Sequence, residues 1–110
     1  MELQPRILIV DDSAVIRKAL AKQMESYAAR IIQAEDGEQG WKAAQDNNFD
    51  LIITDVEMPN LDGFGLCQRL KNNADTRGIP VIILSSLETE KDVEQGFNAG
   101  ASAYVAKSEA

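Results

Sequence analysis

The chain has 110 residues, of which 45% are hydrophobic and 26% are charged, a size and composition that fit one globular domain. Its formal net charge of −7 argues against direct binding to nucleic acid or to an anionic membrane, because both would select a face rich in lysine and arginine. The single cysteine excludes an intrachain disulfide, and the absence of histidine excludes zinc sites that contain histidine. Any bound metal is therefore expected to be a hard cation held by oxygen. Without a signal peptide or a bilayer-length apolar run, the predicted location is the cytoplasm.

Five short apolar segments predict the strands of a parallel sheet. Most are rich in β-branched residues and do not alternate with polar ones, which is typical of strands buried on both faces. The second segment has polar ends, so we expect it at the edge of the sheet. In chain order the segments are 7–10, 30–34, 51–54, 80–84 and 103–106.

Helical spacing of apolar residues predicts four helices, at 14–25, 37–46, 61–73 and 88–99. Ser13 and Asp36 are predicted to cap the first two. The last helix contains Gly96 and has only Val93 and Phe97 as large apolar anchors, so we expect it to move when the protein switches. The alternative is that Gly96 only permits close packing. Strict alternation of strands and helices predicts right-handed crossovers and a doubly wound α/β fold.

Polar residues follow the apolar run of four different predicted strands. Asp11 and Asp12 follow the first strand, and Asp55 follows the third. Ser85 follows the fourth and Lys107 the fifth. Because ligands of open α/β sheets bind at the carboxyl ends of the strands, we expect these side chains to meet at one edge.

Each of these residues alone has a simpler interpretation, as a helix cap, a turn residue or a solvated lysine. Three carboxylates in one pocket, however, would repel one another unless a cation joined them, and without histidine that cation is predicted to be Mg²⁺. A carboxylate such as Asp55 can act as a nucleophile and form an aspartyl-phosphate if Mg²⁺ and Lys107 neutralise the incoming phosphoryl group. The Ser85 hydroxyl could donate to a phosphoryl oxygen.

Five short motifs stand out along the chain: 10–13 (VDDS), 55–59 (DVEMP), 61–63 (LDG), 84–86 (LSS) and 100–107 (GASAYVAK). Together they resemble the receiver domains of two-component response regulators. The resemblance spans essentially the whole chain in family order and spacing, which predicts one receiver domain over residues 1–110. It implies a five-stranded, flavodoxin-like sheet with strand order 2-1-3-4-5 between two helical layers.

The resemblance also implies which residues accept the phosphoryl group and hold the metal. Asp55 would be the phosphoacceptor, and Asp12 a direct ligand of Mg²⁺. Asp11 would bind the ion mainly through water. The backbone carbonyl of Glu57 would complete the protein's share of the ligands.

Three further roles are implied for the signalling step. Ser85 would be the switch hydroxyl that turns toward the phosphoryl group, and Lys107 would pair with that group. Tyr104 would be the aromatic residue that changes its burial when Ser85 moves. The phosphoryl donor would be a phosphohistidine on a sensor histidine kinase or a histidine phosphotransfer protein, and the output would be altered binding to a downstream effector domain or protein.

The sequence departs from the family after Lys107. Family members usually continue with Lys-Pro and a long amphipathic helix, whereas here Lys107 is followed by Ser108, Glu109 and Ala110. Three explanations are open: a fragment of a longer protein, exchange of elements between two chains, or a helix supplied by a partner. We favour a fragment of a larger regulator or hybrid kinase, with self-association through the uncovered face.

Two other functions compete with the signalling switch. A receiver fold could serve as a docking or dimerisation module that is independent of phosphate, but the complete set of acids, hydroxyl and lysine argues against it. A phosphatase with turnover could use Glu57 as a second acid, yet Met58 and Pro59 fit the receiver pattern better. We therefore predict a switch that promotes its own phosphorylation and dephosphorylation at Asp55 and is not a turnover enzyme.

Overall fold

The computed structural model describes residues 4–27 and 30–109. Strands and α-helices alternate along this part of the chain, which ends in a short 3₁₀-helix. The elements are β1 (Arg6–Val10), α1 (Ala14–Glu25), β2 (Arg30–Ala34), α2 (Gly37–Asp46), β3 (Leu51–Thr54), α3 (Gly63–Lys71), β4 (Val81–Ser85), α4 (Glu90–Asn98), β5 (Ala103–Ala106) and the 3₁₀-helix Lys107–Glu109. In none of these ranges is a helix long and apolar enough to cross a membrane.

The five strands form one parallel sheet in the order β2-β1-β3-β4-β5, as predicted. Strand β2 lies at the edge, where Arg30 and Gln33 are exposed, and this confirms the interpretation of its polar residues. The strand order reverses at β1, whose two neighbours β2 and β3 lead to opposite edges of the sheet. The carboxyl ends on either side of such a reversal form a crevice, and in open α/β sheets that crevice is where ligands bind.

Alternate strand residues pack on opposite faces of the sheet, because side chains of a strand point alternately up and down. On one face, helices α2 and α3 build the larger core. It includes Leu8, Val10, Ile52, Val81 and Ile83 from the strands and Leu66, Cys67 and Leu70 from α3. On the opposite face, α1 contributes Ala21 to a smaller buried cluster with Ile7, Ile9, Ile53 and Leu84.

Side-chain caps decide where the helices begin. The Ser13 hydroxyl accepts from the Ile16 N–H (3.3 Å) and the Asp36 carboxylate from the Gln39 N–H (2.8 Å), so both predicted caps are confirmed. Helix α3 begins at Gly63, two residues later than predicted, because Asp62 caps it by accepting from a backbone N–H. Helix α4 begins at Glu90 for the same reason, since Thr89 is its N-cap and forms a capping box with Asp92 in the first turn.

Gly96 lets α4 pack directly on the ring of Tyr104. A Cβ atom at this position would lie 2.7 Å from Tyr104 Cδ2 and 3.2 Å from Ile83 Cδ1. The packing interpretation of Gly96 is therefore supported. Phe97, predicted as an anchor, is 49% exposed, because consecutive helical residues are about 100° apart and Gly96 is the one that faces the sheet. That part of the prediction was wrong.

Candidate functional site

The carboxyl ends of β1, β3, β4 and β5 bring the predicted polar residues to one edge of the sheet. Asp11 and Asp12 come directly after β1, and Asp55 directly after β3. Ser85 is the last residue of β4, and Lys107 follows β5. Parallel strands end at the same edge, so this convergence follows from the topology rather than from local sequence.

Three carboxylates meet at this edge. Asp11, Asp12 and Asp55 each offer an oxygen, and these oxygens lie within 4.8 Å of one another. Asp11 and Asp55 are only 2% and 7% exposed, whereas Asp12 is exposed to solvent. One oxygen of each buried acid accepts a backbone hydrogen bond, from the Ser13 N–H to Asp11 Oδ1 (2.9 Å) and from the Val56 N–H to Asp55 Oδ1 (2.7 Å).

Lys107 bridges the two buried acids. Its Nζ lies 3.1 Å from Asp11 Oδ2 and 3.2 Å from Asp55 Oδ2. Burial acts to lower the pKa of Lys107, but the hydrogen bonds to Asp11 and Asp55 and their charges outweigh it, so the pKa is raised. Burial also raises the pKa of Asp55, with a further contribution from Asp11, against the opposing effects of the Val56 hydrogen bond and Lys107. The ionised form of Asp55 is thus less favourable here than in water, despite its contact with Lys107.

The β1–α1 loop, residues 11–13, is held by an arginine that the sequence interpretation missed. Arg17 Nη1 donates to the backbone carbonyl oxygen of Asp11 (2.6 Å), and Nη2 lies 3.9 Å from Glu35 Oε1. The Arg17 side chain is largely buried. Its place one helical turn after the cap Ser13 is the signal that could have identified it, because that turn faces the loop.

The β3–α3 loop, residues 55–62, folds back on the end of β3. The Gly63 N–H donates to the Val56 carbonyl (2.9 Å), and a side chain at Gly63 would collide with the backbone carbonyl of Asp55. Glycine is therefore required where the loop meets α3. Glu57 lies in this loop, two residues after Asp55, with its side chain exposed.

In the β4–α4 loop, residues 86–89, Leu87 is hydrogen-bonded to both Ser85 and Tyr104. Ser85 is fully buried, and its Oγ accepts from the Leu87 N–H (3.1 Å). The Tyr104 hydroxyl donates to the Leu87 carbonyl oxygen (2.6 Å). Burial is the main cause that raises the pKa of Tyr104. The two predicted switch residues thus form hydrogen bonds to the same loop residue: Ser85 to the N–H of Leu87 and Tyr104 to its carbonyl oxygen.

The donor set of this edge fits a hard divalent cation. It consists of three carboxylates, two of them buried, and no sulfur or imidazole group. Mg²⁺ is bound in proteins by one or two carboxylates together with water and phosphate oxygens. Beside the acids stand an ammonium group and a hydroxyl, the groups that stabilise negative charge in phosphoryl transfer.

Comparison with known proteins agrees with this geometry. Residues 7–110 match the response regulator receiver domain family. The gliding motility regulatory protein of Myxococcus xanthus is 45% identical over 104 residues, which are 94% of this chain and 13% of that protein. The DNA-binding dual master transcriptional regulator RpaA of Synechocystis is 40% identical over 94% of this chain and 43% of its own length. The chain thus spans less than half the length of these relatives.

Solved structures show the same architecture. A chemotaxis protein of Vibrio cholerae superposes with a TM-score of 0.90 at 27% identity, covering 96% of this chain and 88% of that one. The receiver domain of a signal transduction histidine kinase from Syntrophus aciditrophicus gives a TM-score of 0.87 at 35% identity, covering 94% and 78%. With fold, acidic edge and sequence in agreement, this chain belongs to the response regulator receiver domain family of two-component signalling.

Proposed function

We propose that Asp55 accepts a phosphoryl group from a phosphohistidine of a sensor histidine kinase or a histidine phosphotransfer protein, and that this event changes binding to an effector domain or protein. The observation that carries the proposal is the contact of Lys107 with two buried carboxylates, Asp11 and Asp55. An ammonium group at this position can contact the carboxylate before the reaction and a phosphoryl oxygen after it. The histidine must come from the partner, since this chain contains none.

The metal ligands in this proposal are Asp11, Asp12, Asp55 and the backbone carbonyl of Glu57. Asp12, the exposed member of the acidic group, is the proposed direct ligand, and Asp11 the ligand that acts mainly through water. When bound, Mg²⁺ supplies positive charge to phosphoryl oxygens and so stabilises the transition state. The requirement for such charge is consistent with the raised pKa of Asp55.

The two carboxylate oxygens of Asp55 have different surroundings. Oδ1 is fixed by the Val56 N–H, whereas Oδ2 contacts Lys107, which can move with the developing charge. In the proposed step an Asp55 oxygen forms the new bond to phosphorus while the bond from phosphorus to the donor's histidine nitrogen breaks. The electron pair stays on that nitrogen, which takes up a proton from solvent.

The signal is proposed to leave through Ser85 and Tyr104. If the Ser85 hydroxyl turns to donate to a phosphoryl oxygen, it gives up the Leu87 N–H, and the β4–α4 loop must rearrange. Tyr104 is bonded to the carbonyl of the same residue and packs against Gly96. Rotation of the Tyr104 ring would therefore change its contact with α4, which is consistent with the predicted movement of that helix.

Phosphorylation by a small donor tests the acceptor. The protein is incubated with Mg²⁺ and acetyl phosphate, and intact mass is measured for the wild type and for Asp55→Asn. We expect an added phosphoryl group on the wild type alone, and its loss when EDTA removes Mg²⁺. Label on both proteins, or on neither, would overturn the assignment. Sustained release of phosphate from unrelated monoesters would instead contradict the proposal that this is not a turnover enzyme.

Self-association is proposed through the part of the α1 face of the sheet that α1 leaves uncovered. A groove of about 240 Å³ on this face is lined by Ile16, Ala19, Leu20, Gln23, Leu84 and Lys107. Light scattering over a concentration series is expected to show a growing dimer that Ala19→Glu abolishes. A monomer at every concentration would contradict this.

The cytoplasmic location and the extent of the domain over residues 1–110 stay predictions.

A further inference from the structure

The β2–α2 connection contains no residue of the proposed site. It is, however, hydrogen-bonded through Asp36 to the β3–α3 loop, which contains Asp55 and Glu57. Asp36, at the start of α2, is 7% exposed, and each of its carboxylate oxygens accepts one hydrogen bond. Oδ1 accepts from the Gln39 N–H (2.8 Å) and caps the helix. Oδ2 accepts from Asn60 Nδ2 (2.7 Å), at the tip of the β3–α3 loop and 24 residues away in sequence.

The backbone of the loop is shaped for this contact. Asn60 has a φ of 71°, in the left-handed region, which asparagine tolerates better than most residues. Across it, the Leu61 N–H donates to the Pro59 carbonyl (2.8 Å), forming a tight three-residue turn. The turn directs the Asn60 amide toward Asp36. A second bond lies beside it, from the Gly37 N–H to the Leu61 carbonyl oxygen (3.1 Å).

Gly37 allows the loop and the helix to approach this closely. A side chain at this position would collide with the carbonyl of Leu61. Because this carbonyl belongs to the backbone, it cannot rotate out of the way as a flexible side chain could. The tip of the loop is therefore attached to α2 by one side-chain and one backbone bond. The base of the loop is closed by the bond from the N–H of Gly63, the first residue of α3, to the carbonyl of Val56, the second residue of the loop (2.9 Å).

Glu57, whose backbone carbonyl is the proposed metal ligand, lies between these two points of attachment. Mg²⁺ demands near-octahedral geometry at about 2.0–2.1 Å, so small displacements of a backbone ligand weaken binding. Met58, the next residue, packs partly buried against the larger core. The course of the chain through Glu57 is thus determined by the base of the loop, by Met58 and by the attachment at Asn60.

We propose that Asp36 and Asn60 are positioning residues for the metal site, and that their hydrogen bond places the Glu57 carbonyl for Mg²⁺. This inference rests on the proposed function, because it assigns the metal to the Asp11, Asp12 and Asp55 edge. It adds two residues outside that edge to the machinery. Neither touches the cation, and both act through the loop.

Three substitutions separate the hydrogen bond from helix capping, backbone strain and charge. Asn60→Gly removes the amide and keeps a residue that accepts positive φ. Asp36→Ser keeps the cap through its hydroxyl, which the Gln39 N–H occupies, but has no second oxygen for Asn60. Asp36→Asn removes the charge and keeps both bonds, because the Asn60 amide can flip and accept from the new amide group.

Mg²⁺ affinity of the unphosphorylated protein, measured by calorimetry, is the readout. We expect Asn60→Gly and Asp36→Ser each to raise the Kd for Mg²⁺ about tenfold, as for loss of an outer partner of a metal ligand. Their combination should raise it no further, because both remove one bond. Asp36→Asn should bind nearly as the wild type does. Equal weakening by Asp36→Asn and Asp36→Ser, with none by Asn60→Gly, would mean that the charge of Asp36 matters instead, and would overturn the proposal.

A matched control comes from the other end of α2. Asn47 Nδ2 donates to the Ala43 carbonyl (3.0 Å), so Asn47→Gly also loses one asparagine hydrogen bond on this helix. It should lower stability to urea without changing the Kd for Mg²⁺; an equal change in Kd would show that helix stability alone is responsible and would overturn the inference. If the wild type neither binds Mg²⁺ nor accepts a phosphoryl group, the proposed function fails. If it does both and Asn60→Gly and Asp36→Ser bind Mg²⁺ unchanged, only the positioning inference fails.

Discussion

The β3–α3 loop and the β4–α4 loop flank the same site, but hydrogen bonds of different kinds hold them. The β3–α3 loop is attached to α2 through Asp36, a residue outside the proposed reaction. The β4–α4 loop is held at Leu87 by Ser85 and Tyr104, the two groups proposed to move. In the proposed mechanism, phosphorylation would therefore leave the first loop in place while it removes a restraint from the second. A site held in this way can be rigid for chemistry and still transmit a signal.

The largest expected effect is on the chemical side of this comparison. Lys107→Met removes the ammonium group that contacts Asp11 and Asp55, and the rate of phosphorylation by acetyl phosphate should fall about 100-fold, as for loss of one charge-stabilising donor. The rate is followed by intact mass at saturating Mg²⁺. Lys22→Met, at an exposed position of α1, is the control and should react like the wild type. A full rate in Lys107→Met would show that the lysine serves only the structure.

The next effect concerns the contact between α4 and Tyr104. Gly96→Ala places a methyl group 2.7 Å from the ring, so the free energy of unfolding should fall by about 1–3 kcal/mol. Urea denaturation measures it. The control is Gly78→Ala, where nothing lies within 4 Å, and this change should be neutral or stabilise by up to about 1 kcal/mol. Equal effects of the two substitutions would mean that α4 does not pack as described.

A smaller effect is expected from the tyrosine hydroxyl. Tyr104→Phe removes the donor to the Leu87 carbonyl, which should lower the free energy of unfolding by about 1 kcal/mol. Amide exchange in residues 86–90 should become faster, while the phosphorylation rate stays unchanged because Asp55 and Lys107 are intact. Tyr27→Phe, at a site that is 71% exposed, should change neither property. Unchanged exchange in Tyr104→Phe would break the proposed distinction between the two loops.

The smallest effect is predicted for Phe97, which projects away from the sheet. Phe97→Ala should change the free energy of unfolding by no more than about 0.5 kcal/mol, as is usual at the surface. Phe64→Ala, at a buried position of α3, should by contrast cost about 3–5 kcal/mol. Urea denaturation of both variants makes the comparison. A large loss in Phe97→Ala would restore this residue as an anchor of α4.

The strands and the acidic edge could be predicted because their determinants are simple. The runs at 30–34, 51–54 and 103–106 match the observed strands. The run at 51–54 is mostly apolar because β3 lies inside the sheet, whereas 30–34 has polar residues because β2 lies at the edge. The contact between Lys107 and Asp11 spans 96 residues, yet it follows from topology, which brings the carboxyl ends of all the parallel strands to one edge of the sheet.

Contacts that depend on loop conformation could not be predicted in this way. The bond between Asp36 and Asn60 requires a φ of 71° at Asn60, and nothing in the pattern of apolar residues reports that angle. The exposure of Phe97 depends on the rotation of α4, which Gly96 determines by facing Tyr104. The same holds for Arg17, whose partner is a backbone carbonyl rather than a recognisable side chain.

The contact between Lys107 and Asp11 also has a consequence for biosynthesis. Domains generally fold as units while the chain emerges from the ribosome with its amino terminus first, so the acids are made long before the lysine that meets them. A nascent chain that still lacks β5 would present Asp11 and Asp55 without their ammonium partner. Repulsion between these two acids would then oppose their burial until β5 and Lys107 have been synthesised. The acidic edge of the sheet is therefore completed only by the last strand.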